Sequence, residues 1–459
     1  MADWSFDLDP TPILRGPIGD LLARPWLDKV SLSSIGRYLI PTSRLWAAAE
    51  LAGTDIDRFL AEAGLVEPSP AKLALLPQAL ALTARMGRRY RKAEAAWRAA
   101  FFPADGAEPA DAARLKAIQA RRGRTARDWM ACRGLFLPFL PGGVRGVHFA
   151  IPAPQEMADR YGARMAGPGG LYALPVPLPG VTESLGYDAG GRRWSWIRLD
   201  HDDGSHGWAR VGTPLGVENP VTVISLHGLA MELEMWNSRL GQAEDMLDPS
   251  IRVIQPEAPF HSRNRMAGRW GGEEFIATLP AGAVALFQKA FPEVAALTAW
   301  SRETSAAPVG LAGVSMGALT AQRLAVEAKA WPENLRPDAL FLASTSEDLL
   351  EVATEGALGR LFGIHAAAEQ AGWTVESLAR WSPFLDPVGP SCLPPDRIVL
   401  ALGTVDDVTP FDGGRQLAER WQVPDDNVFV RQVGHFSAPV SLYRDPAPVE
   451  RFAMLLQQA

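Results

Sequence analysis

Cysteine is scarce in this chain of 459 residues, with only Cys132 and Cys392. Two thiols cannot build a disulfide framework or a cysteine-based zinc site, and such sparse usage fits a reducing compartment. Long hydrophobic runs are missing too, none reaching the roughly 18 residues that a membrane span requires. The opening MADWSFDLDPTP is acidic and has no basic segment leading into an apolar one, so it does not read as a secretory signal. Together these absences predict a cytoplasmic protein. No G-x-G-x-x-G or Walker sequence stands where a nucleotide site would need it, and no metal-ligand spacing is found, so neither cofactor nor metal is expected. Positive charge is in deficit: 45 Lys and Arg against 52 Asp and Glu leave a net −7, which argues against a nucleic-acid partner.

What is present describes an ordinary globular protein, 47% hydrophobic and 21% charged. The length exceeds what one hydrophobic core usually supports, so two domains or one heavily decorated domain are expected. Charge is uneven along the chain. Between Arg85 and Arg133 stand thirteen Lys or Arg against five Asp or Glu. That surplus reads either as a docking surface for anions or as a solvated helix face whose stems cover apolar surface.

Residues 1–165 carry helix signals. Thr54, Asp57 and Gly64 bracket a short capped helix. The segments Ala71–Phe102 and Pro109–Arg133 are rich in Ala, Leu, Arg, Lys and Gln, with Pro77 and Gly87 expected to interrupt the first. The turn-rich stretch Gly162–Gly170 marks a boundary. In residues 166–459 the pattern changes. Arg192–His201 and Gly207–Pro214 read as paired strands around the turn DDGS, with His201 and His206 facing solvent. Then β-branched, apolar runs alternate with helical segments: Val221–Gly228, Ile251–His261, Ala307–Ser315, Asp338–Ser346, Arg397–Asp407 and Asn427–His435. Strands apolar on both faces and separated by helices predict an α/β fold with a mostly parallel, doubly wound sheet.

Ser315 lies in LAGVSMGALT, where the third of these strands meets a helix. G-x-S-x-G is short enough to occur by chance, so its surroundings must decide. A strand before, a helix after, and Gly313 and Gly317 flanking the serine match a nucleophile elbow. A serine hydroxyl needs a base, and the base needs an acid to hold its tautomer. Asp406 in GTVDDVTP and His435 in VGHFS follow later strands, in the order Ser, Asp, His, each at a strand's carboxyl end.

With SLHGLA, GVSMGA, GTVDDVTP and VGHFS, the chain from about residue 215 onward resembles the α/β-hydrolase superfamily. The resemblance implies a Ser315–His435–Asp406 triad, with Asp406 favoured over Asp407. It also implies an oxyanion hole from the backbone N–H groups of Leu229 and Met316, with His227 and Gly228 shaping the first of those loops. His261, in APFHSRNR, reads as a pocket residue or, more simply, a hydrogen-bonded loop histidine. Residues 347–396 form a lid-like insertion, whose aromatics either roof the serine or pack onto the sheet. The activity so implied is hydrolysis of a small-molecule carboxylic ester through an acyl-enzyme, without a cofactor. A thioesterase, acyltransferase or peptidase would use the same residues, and a non-catalytic binding protein could retain the fold.

Overall fold

A computed structural model describes residues 11–65, 68–141, 143–166, 170–232 and 246–459. Its ten strands form one sheet in the order β1-β3-β4-β6-β5-β7-β8-β9-β10, with β2 paired to β3 alone. The strands are β1 Gly180–Glu183, β2 Tyr187–Ala189, β3 Arg192–Asp200, β4 His206–Pro214, β5 Thr222–Leu226, β6 Arg252–Pro256, β7 Val309–Val314, β8 Ala339–Ala343, β9 Ile398–Gly403 and β10 Val428–Arg431. β4 runs antiparallel to both β3 and β6, while β6, β5, β7, β8, β9 and β10 are mutually parallel. The inner parallel strands are buried on both faces, as all-apolar segments such as ALFLA and IVLALG require, while β10 at the edge is partly exposed. One face packs under Ala281–Thr304 and Met316–Glu327, the other under the C-terminal helix Ala447–Gln457.

The winding direction sets where a site can form. β6 lies on one side of β5 and β7 on the other, so the chain reverses its progress across the sheet at β5. At such a switch point the loops leaving two adjacent strands diverge and open a crevice at their carboxyl ends. In register, Leu226 of β5 sits beside Gly313 of β7, which brings the loop after residue 226 against the turn after residue 314.

Ahead of β1 the described residues are helical. Asp55, not Thr54, caps the helix Ile56–Ala63, accepting the Arg58 N–H at 3.0 Å, and Gly64 ends it in the left-handed conformation. Pro70–Phe101 is one unbroken helix, contrary to the expected interruption. Pro77 stands on its exposed side, where water can take the carbonyl that loses its partner. Gly87 is required by packing rather than by a break, because a Cβ there would meet the Trp129 indole at 3.0 Å. β1 and β2 were not anticipated from the sequence; at four and three residues they are too short to show a period. His201, expected in solvent, is largely buried and pairs with Glu293 at 2.8 Å. Part of the Gly162–Gly170 boundary stretch lies outside the described residues.

The long helix is tied to the sheet edge by buried charge. Glu94 accepts from Arg122 Nε at 2.6 Å, Arg263 Nε at 3.0 Å and Arg98 Nε at 3.1 Å. The Arg263 guanidinium also pairs with Glu257 and lies 4.4 Å from the Trp97 ring and 4.6 Å from that of Trp196. Burial alone would raise the Glu94 pKa, but the surrounding arginines hold it well below the usual carboxylate range. The cationic segment Arg85–Arg133 thus turns part of its charge inward. Glu94→Gln, which keeps the shape and removes the charge, is expected to destabilise the protein by about 3–5 kcal/mol, as for a broken buried pair. Urea denaturation of the parent and variant measures it.

Candidate active site

The turn after β7 is strained where it presents Ser315. That residue has φ 55° and ψ −124°, a region sparsely populated by side-chain-bearing residues. Its N–H is held by the Ala343 carbonyl at 3.0 Å, and its carbonyl accepts the Leu319 N–H at 2.9 Å. The elbow can fold so tightly only because its neighbours lack side chains. A Cβ on Gly313 would fall 2.7 Å from the Ala318 nitrogen, and one on Gly317 would strike the Leu226 and His227 carbonyls. Met316 opens the following helix, so its N–H has no intrahelical acceptor and points out of the helix end.

Three side chains from three strand ends meet here. Ser315 Oγ lies 2.8 Å from His435 Nε2, and His435 Nδ1 lies 2.9 Å from Asp406 Oδ2. Facing a carboxylate, Nδ1 carries the proton, which leaves Nε2 to accept from the serine hydroxyl. Asp406 also accepts the Val408 and Thr409 N–H groups at 3.0 and 2.9 Å and the Thr409 hydroxyl at 2.9 Å. Burial would raise its pKa, but His435 and these donors outweigh burial and hold it below the ordinary value. Burial would lower the pKa of His435, but Asp406 chiefly, with Asp28 and Asp407, moves it above the ordinary histidine value. Asp407 is exposed, its backbone carbonyl taken by the Ala357 N–H at 2.6 Å, so Asp406 is the carboxylate at the imidazole.

The loop after β5 passes directly beside the serine. A Cβ on Gly228 would lie 3.4 Å from Ser315 Cβ, so the loop backbone approaches the serine to van der Waals distance. His227 donates from Nδ1 to the Gly228 carbonyl at 2.9 Å and accepts the Ala258 N–H on Nε2 at 3.0 Å. Both nitrogens are occupied in the neutral form, and burial lowers its pKa. His261 is fully buried, bonded to the Pro259 carbonyl at 3.0 Å and accepting the Ala230 N–H at 3.3 Å. Burial, and then His227, pushes its pKa down to about 3, so it too is neutral. It is a hydrogen-bonded loop histidine and lies outside the Ser315–His435–Asp406 chain. With the Ala230 N–H taken, the preceding Leu229 N–H has no partner among the described residues.

Within 347–396, Trp373 and Trp381 are buried away from the serine. Trp373 donates to the Pro152 carbonyl at 2.8 Å, and Trp381 stacks edge-on with Tyr161 at 5.9 Å. Phe362 approaches Trp270 at 6.4 Å, and Leu361 packs on Gly36. The insertion therefore joins the N-terminal helices rather than standing apart from them. Three residues at the site escaped the sequence reading: Thr409, which lay inside the quoted GTVDDVTP, and Asp28 and Glu232, which carry no motif. Glu232 accepts the Ser262 N–H at 3.2 Å and faces Arg133 at 3.6 Å. Among the described residues no group of three or more His, Cys, Asp or Glu is placed to hold a metal ion, and no helix is long and apolar enough to cross a membrane.

A mostly parallel sheet entered through an antiparallel strand, with a serine elbow after β7 and Asp406 and His435 following β9 and β10, defines the α/β-hydrolase fold. No protein-family profile and no curated protein matches the chain. Solved structures that resemble it include acetyl xylan esterase 1 from Thermoanaerobacterium, at 14% identity and TM-score 0.42, over 65% of this chain and 96% of that one. An acetyl xylan esterase from Paenibacillus is 13% identical, with TM-score 0.39, over 63% and 90% of the two chains. An acylaminoacyl peptidase from Pyrococcus horikoshii is 11% identical, with TM-score 0.39, over 59% of this chain and 43% of its own. The fold assignment rests on the strand order and connections of this chain itself.

Gly317→Ala tests the elbow. Its methyl group would collide with main chain rather than with a movable side chain, so overpacking should cost at least ~1–3 kcal/mol, read as a lowered thermal midpoint.

Proposed function

We propose that the protein is a serine hydrolase that cleaves carboxylic esters through an acyl-enzyme. The observation that carries this is the unbroken hydrogen-bond chain from Ser315 Oγ through the His435 ring to Asp406. In this reading His435 takes the serine proton as Oγ attacks the ester carbonyl, and Asp406 stabilises the imidazolium that forms. The N–H groups of Leu229 and Met316 receive the oxyanion, donors worth around 2.7–4 kcal/mol each in barrier. His435 then protonates the leaving alcohol, and a water, deprotonated by the same ring, releases the acid. His227 and His261 act as fixed neutral struts of the oxyanion loop. Nothing in this chemistry calls for a cofactor.

The choice of ester over thioester or amide follows the frequency of activities on this fold. Binding of a phosphate-bearing thioester by the cationic helices has less support, since Arg98, Arg122 and Arg133 already face Glu94 and Glu232. The sparse cysteine usage keeps the cytoplasm as the proposed location.

Ser315→Ala should lower turnover of p-nitrophenyl acetate by about 10⁶, and a fluorophosphonate should label the parent protein but not this variant. Turnover by the variant near the parent level would refute the assignment. A second test is the pH profile. The base must be unprotonated, and its pKa lies above the ordinary ~6.5. The rising limb of kcat/KM should therefore have its midpoint above that value, with activity lost as pH falls through it. A limb centred below 6 would contradict the arrangement.

A further inference from the structure

One carboxylate near the site belongs to neither the triad nor any ion pair among the described residues. Asp28 lies on the helix Pro25–Ser34, is 8% exposed, and reaches across to the loop that bears His435. Its Oδ1 accepts the N–H groups of Phe436 and Ser437 at 2.5 and 3.1 Å, and its Oδ2 accepts the Ser437 hydroxyl at 2.6 Å. Those donors stand at the start of the helix Ser437–Arg444, where the first N–H groups have no intrahelical acceptor and the helix dipole favours negative charge. Asp28 thus caps that helix from more than four hundred residues away in sequence. Room for it comes from Gly434, on which a Cβ would fall 2.5 Å from the Asp28 carboxyl carbon. The loop is therefore shaped around a carboxylate: a glycine to admit it, two amides and a hydroxyl to bind it, and His435 between them.

We infer that Asp28 is a positioning residue, holding the 434–437 loop so that His435 stands in line between Ser315 and Asp406. The inference rests on the proposed role of His435 as base. Two physical effects follow. The first is geometric: His435 is the immediate chain neighbour of both Gly434 and Phe436, so a slack loop displaces the ring directly, and a 1 Å misplacement of a reacting group costs on the order of 10² in rate. The second is electrostatic. Charged groups facing the imidazole are Asp406 and Asp407 from the loop after β9 and Asp28 from the N-terminal helix; Ser315 and Thr409 face it with hydroxyls. A carboxylate at Asp28 favours the imidazolium that forms as the serine proton is taken, and removing it makes the resting ring less basic.

The test uses full-length Asp28→Asn and Asp28→Ala with p-nitrophenyl acetate, fluorophosphonate labelling and thermal melts. Asn keeps one acceptor oxygen and loses the charge; Ala loses both. The expected kcat falls ~10-fold for Asn and ~10²-fold for Ala, with KM changed little. Labelling should slow in parallel. The rising limb of kcat/KM should move to lower pH in both, because a less basic ring loses its proton earlier. Should the Ala variant fail to fold, the Asn variant carries the same readouts. Variants that melt lower yet keep the parent's kcat, labelling rate and pH limb would make Asp28 a helix cap alone and overturn the inference. A parent protein that the fluorophosphonate does not label overturns the triad itself, and this inference with it; a labelled parent with equally labelled Asp28 variants overturns only the latter.

Discussion

The close approach of backbone to backbone at the elbow is the constraint on which the site depends. β5 and β7 are adjacent and parallel, so the helix after Ser315 must start almost on top of the carbonyls that end β5. Gly317 permits that contact, Gly313 permits the chain to double back, and Ser315 accepts a positive φ. The strain is of order 1–3 kcal/mol and persists because neighbouring strands over-determine the turn. The same approach brings Gly228 against the serine and fixes the loop after β5 relative to Ser315. The placement of Ser315 beside this loop is therefore set first by the sheet's spacing, with the His227 and His261 side chains bracing the loop by hydrogen bonds.

Around that frame, charge is sorted by depth. His227 and His261 are enclosed without a carboxylate partner, and burial keeps both neutral, so they serve as hydrogen-bonding struts. His435 is enclosed as well, but with Asp406 against it and Asp28 behind it, so burial's effect is reversed. Three histidines near one serine thus acquire different chemistry from their partners rather than from their depth. Further out, Glu94, Glu257 and Arg263 form a paired cluster walled by tryptophans, which anchors the 257–263 loop and with it His261.

The parallel sheet was legible because its inner strands are buried on both faces and read as continuous apolar runs, whereas β1 and β2 are too short to carry a pattern. Pro77 misled, because a proline on the wet side of a helix is tolerated where one facing the core would not be. At the site, Ser315, Asp406 and His435 were legible because each follows a strand within a recognisable turn. Asp28 and Glu232 were not, since their partners lie in distant segments and nothing in their own neighbourhoods marks them. Local sequence reports on turns and periods; it is silent on a carboxylate whose hydrogen-bond partners stand hundreds of residues later.

That distance has a consequence for how the chain acquires its final form. The Phe436 amide and the Asp28 carboxylate are 408 positions apart. A contact between them can form only after both segments have been synthesised, so the carboxylate lacks these donors until the residues that follow β10 have emerged. Closing so long a loop is among the slowest classes of contact to form. The loop bearing His435 therefore takes the shape described above only once the N-terminal helix and the segment after β10 have met.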